Sequence, residues 1–64
     1  MGYEMSWFME GVSPRIWVPL TDEEARARAT RWHEDADLFL AEVGGANGEA
    51  KRLGPGSVLR YLGP

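Results

Sequence analysis

The stretch Thr21-Asp22-Glu23-Glu24-Ala25-Arg26-Ala27-Arg28-Ala29-Thr30-Arg31-Trp32-His33-Glu34-Asp35-Ala36-Asp37-Leu38-Phe39-Leu40-Ala41-Glu42-Val43 decides the fold class. Thr21 and Glu24 have the spacing of a capping box, in which hydroxyl and carboxylate each accept a backbone N–H at a helix start. Asp22, Glu23 and Glu24 also set negative charge against the positive end of the helix dipole. Gly44-Gly45 supplies a stop that tolerates the left-handed conformation. Between these signals Ala25, Ala29, Trp32, Ala36, Phe39 and Val43 step by four and three, with Leu40 beside them. On a helical wheel they fall within an arc of about 100°, as a core-facing stripe should. The spacing therefore predicts one long helix over Thr21–Val43. Its alanine half can approach a neighbour closely, while Trp32, Phe39 and Leu40 fill space later.

Two candidate strands precede it. Tyr3–Glu10 alternates, placing Tyr3, Met5, Trp7 and Met9 on one face and Glu4, Ser6, Phe8 and Glu10 on the other. Gly11-Val12-Ser13-Pro14 has turn chemistry. Arg15–Leu20 sets Ile16, Val18 and Leu20 together, opposite Arg15 and Trp17, and Pro19 points to an edge or a strand end. Beyond the helix, Gly44–Gly56 has the composition of a loop, with turn signals at Asn47-Gly48 and Gly54-Pro55-Gly56. Ser57–Leu62 is a candidate last strand. The expectation is a single α+β domain spanning residues 1–64. One long helix would pack on a small two- or three-stranded antiparallel sheet, in the order β-β-α-β.

Composition limits what such a domain can be. A chain of 64 residues buries a small share of its surface. Natural proteins of this size add disulfides, a metal or a partner subunit. With no cysteine and one histidine, disulfides and a Cys-based zinc site are excluded. Three Trp, two Phe and two Tyr remain as large apolar anchors. A net charge of −3 argues against a binder of nucleic-acid backbone, which presents a basic face. No apolar run approaches the roughly 18–20 residues of a membrane span, and no secretory signal is visible. Met1-Gly2-Tyr3-Glu4-Met5-Ser6 fits a myristoylation pattern, but its acidic and aromatic neighbours lack the polybasic second signal that stable anchoring needs. The expectation is a cytoplasmic protein with neither a membrane nor a nucleic-acid partner. Six of its seven basic residues are Arg, and Gly and Ala are abundant, as in chains from GC-rich bacterial or phage genomes.

No motif carries catalytic chemistry. His33-Glu34-Asp35-Ala36-Asp37 resembles the H-E-x-x-H zinc pattern with Asp in last place. A catalytic zinc needs a third protein ligand, so a boundary histidine paired with Asp37 is expected, with no metal and no cofactor. Glu34, Asp35, Asp37 and Glu42 stand where the dipole would prefer cations, and their scatter suits a solvated face. Glu24–Arg28 and Arg31–Asp35 have the spacing of intrahelical ion pairs. The helix sums to −4 and has no helix-turn-helix partner, which argues against DNA recognition. Gly44-Gly45-Ala46-Asn47-Gly48 follows a helix rather than preceding one, so it is no phosphate cradle.

What remains is apolar surface. Phe8 points away from the core face of its strand, as Trp17 does from Ile16 and Val18. Trp7 lies in a run of large apolar residues, Met5-Ser6-Trp7-Phe8-Met9. Leu38 stands opposite the core stripe. Trp, Tyr, Met and Arg are enriched at interfaces, and a contiguous apolar patch marks one. Trp7, Phe8, Trp17 and Leu38 are thus the candidate partner-binding residues of a non-enzymatic protein-interaction module. Such an adaptor or inhibitor would engage a partner protein, or a second copy of itself, through an aromatic sheet face. The alternative is a structural subunit of a larger assembly that orders on assembly, with Gly44–Gly56 the segment to gain order.

Overall fold

Thr21 starts a helix through reciprocal hydrogen bonds: its N–H donates to Glu24 Oε1 at 2.9 Å, and the Glu24 N–H donates to Thr21 Oγ1 at 3.1 Å. The computed structural model describes residues 2–8 and 16–63. It contains strands β1 (Tyr3–Trp7) and β2 (Val18–Leu20), helices α1 (Asp22–Trp32) and α2 (Ala36–Gly44), and strands β3 (Lys51–Gly54) and β4 (Ser57–Tyr61). The class is α+β with a four-stranded antiparallel sheet in the order β2-β1-β4-β3. The expected Gly11–Pro14 turn, with Met9, Glu10 and Arg15, lies outside the described residues.

The single long helix is corrected to two. His33 leaves the helix in an extended conformation (φ −128°, ψ 138°), and Asp35 caps a new one, its Oδ1 accepting the Leu38 N–H at 3.0 Å. Length supplies the physical reason. A straight helix over Thr21–Val43 would run about 35 Å, whereas the longest strands here have five residues, about 17 Å. Half of its apolar stripe would overhang the sheet. The break folds it into two helices, of eleven and nine residues, that both reach the sheet.

The sheet is larger than expected because Lys51–Gly54, inside the expected loop, pairs as an edge strand beside β4. Pro55 and Gly56 make the turn between them, with Gly56 at φ 68°, and Pro followed by a positive-φ Gly is the pairing a type II turn favours. Ser57–Tyr61 lies at the centre of the sheet, against β1 from Tyr3↔Tyr61 to Trp7↔Ser57. Beyond that ladder, Gly2 N donates to Gly63 O and Leu62 N to Gly2 O. Strands from the two ends of the sequence thus form the middle of the sheet. Both edges are blunted: Pro19 lies in β2, and a bulge between Arg52 and Gly54 interrupts β3.

One sheet face carries the core. Met5, Leu20, Leu53 and Leu59 meet Ala25, Ala29, Phe39 and Val43, with Tyr3, Ala36, Leu40 and Tyr61 at the margin. Trp32 departs from the expected stripe: α1 ends there, and its indole is half exposed.

Candidate interaction surfaces

The period-2 alternation of β1, carried one residue further, sends Trp7 and Phe8 to opposite sides of the sheet. Trp7 shares a face with Met5 and Tyr3, toward the helices. Phe8, just beyond the strand, faces the other way with Glu4 and Ser6. Trp7, Phe8 and Trp17 therefore do not form one surface.

Among the described residues no helix covers the second face. Arg60 donates to Glu4 Oε1 from Nε at 3.2 Å and from Nη2 at 2.8 Å, across the Glu4↔Arg60 pair of the central strands. The same guanidinium sits 3.8 Å from the centre of the Trp17 ring, and Arg52 lies 5.4 Å from the centre of Phe8. Cations over ring faces are favourable, so both aromatics are already partnered and only partly exposed. Ser6, 1% exposed between them, donates its hydroxyl to the Ile16 carbonyl.

The helix side is more open at one end. Trp7, 57% exposed, and Trp32, 51% exposed, line one groove of about 360 Å³. Met5, Leu53 and Ser57 from the sheet, Pro55 from the turn, and Ala27, Arg28 and Arg31 from α1 complete it. Trp32 is held against Gly54 so closely that a Cβ there would stand 2.8 Å from the indole Cγ and Cδ1. Ile16 and Val18, beyond the edge of α1, are exposed as well. The register that pairs Met5 with Val18, carried forward, sets Ile16 across from Trp7. Trp32 carries no sequence mark of a surface residue, because its helical spacing matches the core stripe.

The sequence-expected ion pairs Glu24–Arg28 and Arg31–Asp35 do not form. Glu24 accepts from Thr21 and Asp35 from Leu38, each closing a helix start. Among the described residues, ion pairs join Arg26 to Asp37, Lys51 to Glu49 and Arg60 to Glu4; none involves Arg28 or Arg31. The capping role also fixes the Glu24 carboxyl below its ordinary pKa, mainly through the Thr21 N–H and then the Thr21 hydroxyl.

Asp37 pairs with Arg26, so His33 does not pair with it as expected. The His33 Nε2–H donates to the Leu53 carbonyl at 2.9 Å, and its ring stacks on Phe39 with centres 3.8 Å apart. His33 thus ties the link between the helices to β3. No group of three His, Asp or Glu side chains among the described residues could hold a metal ion. Leu38, 57% exposed on α2, borders a different depression with Glu34, Glu42 and Lys51, apart from the tryptophans. A third cleft joins Tyr3 and Tyr61, with ring centres 4.8 Å apart, to Asp22 and Arg26. Burial, then the nearby Asp22 and Tyr61, raise the Tyr3 phenol above its ordinary pKa, while Arg26 opposes them.

The chain matches no protein-family model, no curated protein and no solved structure. No helix is long and apolar enough to cross a membrane among the described residues.

Proposed function

We propose that the chain is a small non-enzymatic protein-binding module acting in the cytoplasm. Its primary surface is the end of the helix-covered side where Trp7 and Trp32 line one groove. That shared groove is the observation that carries the reading: half-exposed tryptophans have the size and amphipathic character of interface anchors. The helix-free sheet face is a secondary surface, because Phe8 and Trp17 are less exposed than Trp7 and Trp32, and Arg60 lies over Trp17. Leu38 belongs to a separate contact. The structural-subunit alternative has less support. Gly44–Gly56, the segment it needs to gain order, already contains β3 and the bonds Gly45 N–Ala41 O and Glu49 N–Ala46 O.

Light scattering behind size exclusion over a hundredfold concentration range separates self-association from monomer. Display of a folded-fragment library against the immobilised chain then tests partner binding. The reading expects either a concentration-dependent dimer or fragments retained by the wild type, and loss of that association in Trp7→Ala. Association that survives both Trp7→Ala and Trp17→Ala refutes it, as does a monomer that retains nothing.

A further inference from the structure

We infer that the groove between α1 and the β3–β4 turn takes an acidic, extended segment of a partner protein. An apolar or proline side chain of that segment lies between Trp7 and Trp32, and its carboxylates meet Arg28 and Arg31. The inference rests on the protein-binding reading above and adds the chemistry of the partner.

Charge is the discriminating observation. The chain as a whole is acidic, at −3, yet among the described residues the charged ones lining this groove are both arginines, Arg28 and Arg31. Among the described residues no carboxylate forms an ion pair with either arginine. Glu24, which Arg28 influences only after the Thr21 hydrogen bonds, caps the start of α1, and Asp35 accepts the Leu38 N–H. Arg31 lies 5.7 Å from the centre of the Trp32 ring, so one cation borders the indole that a ligand would touch. Arginine matches a carboxylate with two parallel N–H donors. Aromatic-lined grooves receive extended proline-containing segments at low conformational cost. The groove at about 360 Å³ has room for a few side chains, not for a folded domain. A single-stranded nucleic acid would also stack on tryptophan, but its backbone is bound by a track of cations, and two arginines on an acidic protein do not make one. A second copy offers Leu38 beside Glu34 and Glu42, but Lys51 and Arg52 border the same depression and oppose the two arginines.

Selection of a random twelve-residue peptide library on the immobilised chain tests this with the partner still unidentified. The expected enrichment is Asp or Glu next to Pro, Leu or an aromatic residue. A synthetic copy of an enriched peptide should bind at least about thirtyfold more weakly to Trp7→Ala, and Arg28→Glu with Arg31→Glu should abolish the acidic preference. All three positions are exposed, and unchanged circular dichroism and thermal midpoints establish that the variants fold. Enrichment of basic or uncharged peptides, or binding indifferent to Trp7→Ala and to the charge reversal, overturns the inference. So does an oligothymidylate that displaces the peptide at lower concentration than the peptide itself. Binding lost only in Trp17→Ala moves the site to the open sheet face, which overturns the groove and leaves the protein-binding reading standing. Folded fragments retained without any peptide enrichment have the same meaning, whereas absence of both removes the inference and the reading together.

Discussion

Replacing Gly54 by alanine should destabilise the protein through one neighbour, Trp32. A Cβ at this position would lie 2.8 Å from two indole carbons and 2.9 Å from Nε1, against the roughly 3.5–4.0 Å of relaxed carbon contacts. The ring must then retreat by at least about 0.7 Å. The near atoms include Cγ, close to the backbone of α1, so a rotamer adjustment at the ring tip does not suffice. Overpacking of this kind costs about 1–3 kcal/mol. Gly54 is not among the positive-φ residues, so alanine suits its backbone and restricts the unfolded chain, returning about 0.4–1 kcal/mol. The net expectation is a loss of about 1–2 kcal/mol. In a Trp32→Ala background the clash vanishes and the same substitution should be neutral or slightly stabilising. Urea unfolding followed by far-UV circular dichroism measures both legs without relying on the fluorescence of Trp7 and Trp17. Equal losses in the two backgrounds would refute the reasoning and assign the glycine to the bulge itself. The groove supplies a second readout, because a displaced Trp32 should weaken any ligand held between the tryptophans.

Asp35→Ala removes the cap of α2 and should cost about 1 kcal/mol, with Asp35→Asn close to wild type; equal losses in urea unfolding would contradict a capping role. Arg60→Ala strips a half-buried Glu4 of its partner and uncovers Trp17, a loss of about 1–3 kcal/mol. A double-mutant cycle with Glu4→Ala should show clear coupling, and purely additive losses would dismiss the pair. Because folding lowers the Glu24 pKa, its stabilising contribution is fully present above the ordinary value of 4.5 and is lost as pH falls through the folded-state value. Glu24→Gln should flatten the acid limb of a stability–pH profile, and an unchanged slope would exclude Glu24 as its source. Tyr3 has the opposite sign: its raised pKa makes its contribution complete below pH 10.0 and lost as pH climbs through the folded-state value. Tyr3→Phe should therefore reduce the alkaline loss of stability.

The α+β class was legible because local signals agreed with one another. The capping box at Thr21, the alternation of Tyr3–Trp7 and the Gly-Pro-Gly turn each reflect short-range chemistry. The central position of β4 was not legible, since it depends on pairing between residues such as Glu4 and Arg60 at opposite ends of the sequence. β3 escaped because Lys51-Arg52-Leu53-Gly54 has little strand propensity. Tertiary context makes it a strand, with Leu53 buried, Gly54 under Trp32 and the Leu53 carbonyl bonded to His33. The helix break did leave a trace in the charges. Arg28 and Arg31 followed by Asp35 and Asp37 runs against the dipole of one long helix, but suits the end of one helix and the start of another.

That same charge order connects the fold to the candidate site. In one continuous helix Arg31 and Asp35 would face each other at i,i+4 and neutralise each other. Breaking the helix takes Asp35 to a backbone N–H of α2, and the capping box takes Glu24 to a backbone N–H at the start of α1. Both helix starts are thus stabilised by carboxylates that would otherwise have paired with Arg28 and Arg31. The break also ends α1 at Trp32, so its indole stops over Gly54 at the sheet margin instead of being carried inward on a longer stripe. Trp7, the last residue of β1, reaches the same margin from below. The Arg31 side of the rim and the exposed Trp32 therefore share one origin: a short sheet that shortens the helix above it. A sequence change that restored a continuous helix through His33–Asp35 should return Asp35 to Arg31 and move Trp32 off Gly54, while leaving Arg28 and Trp7 as they are.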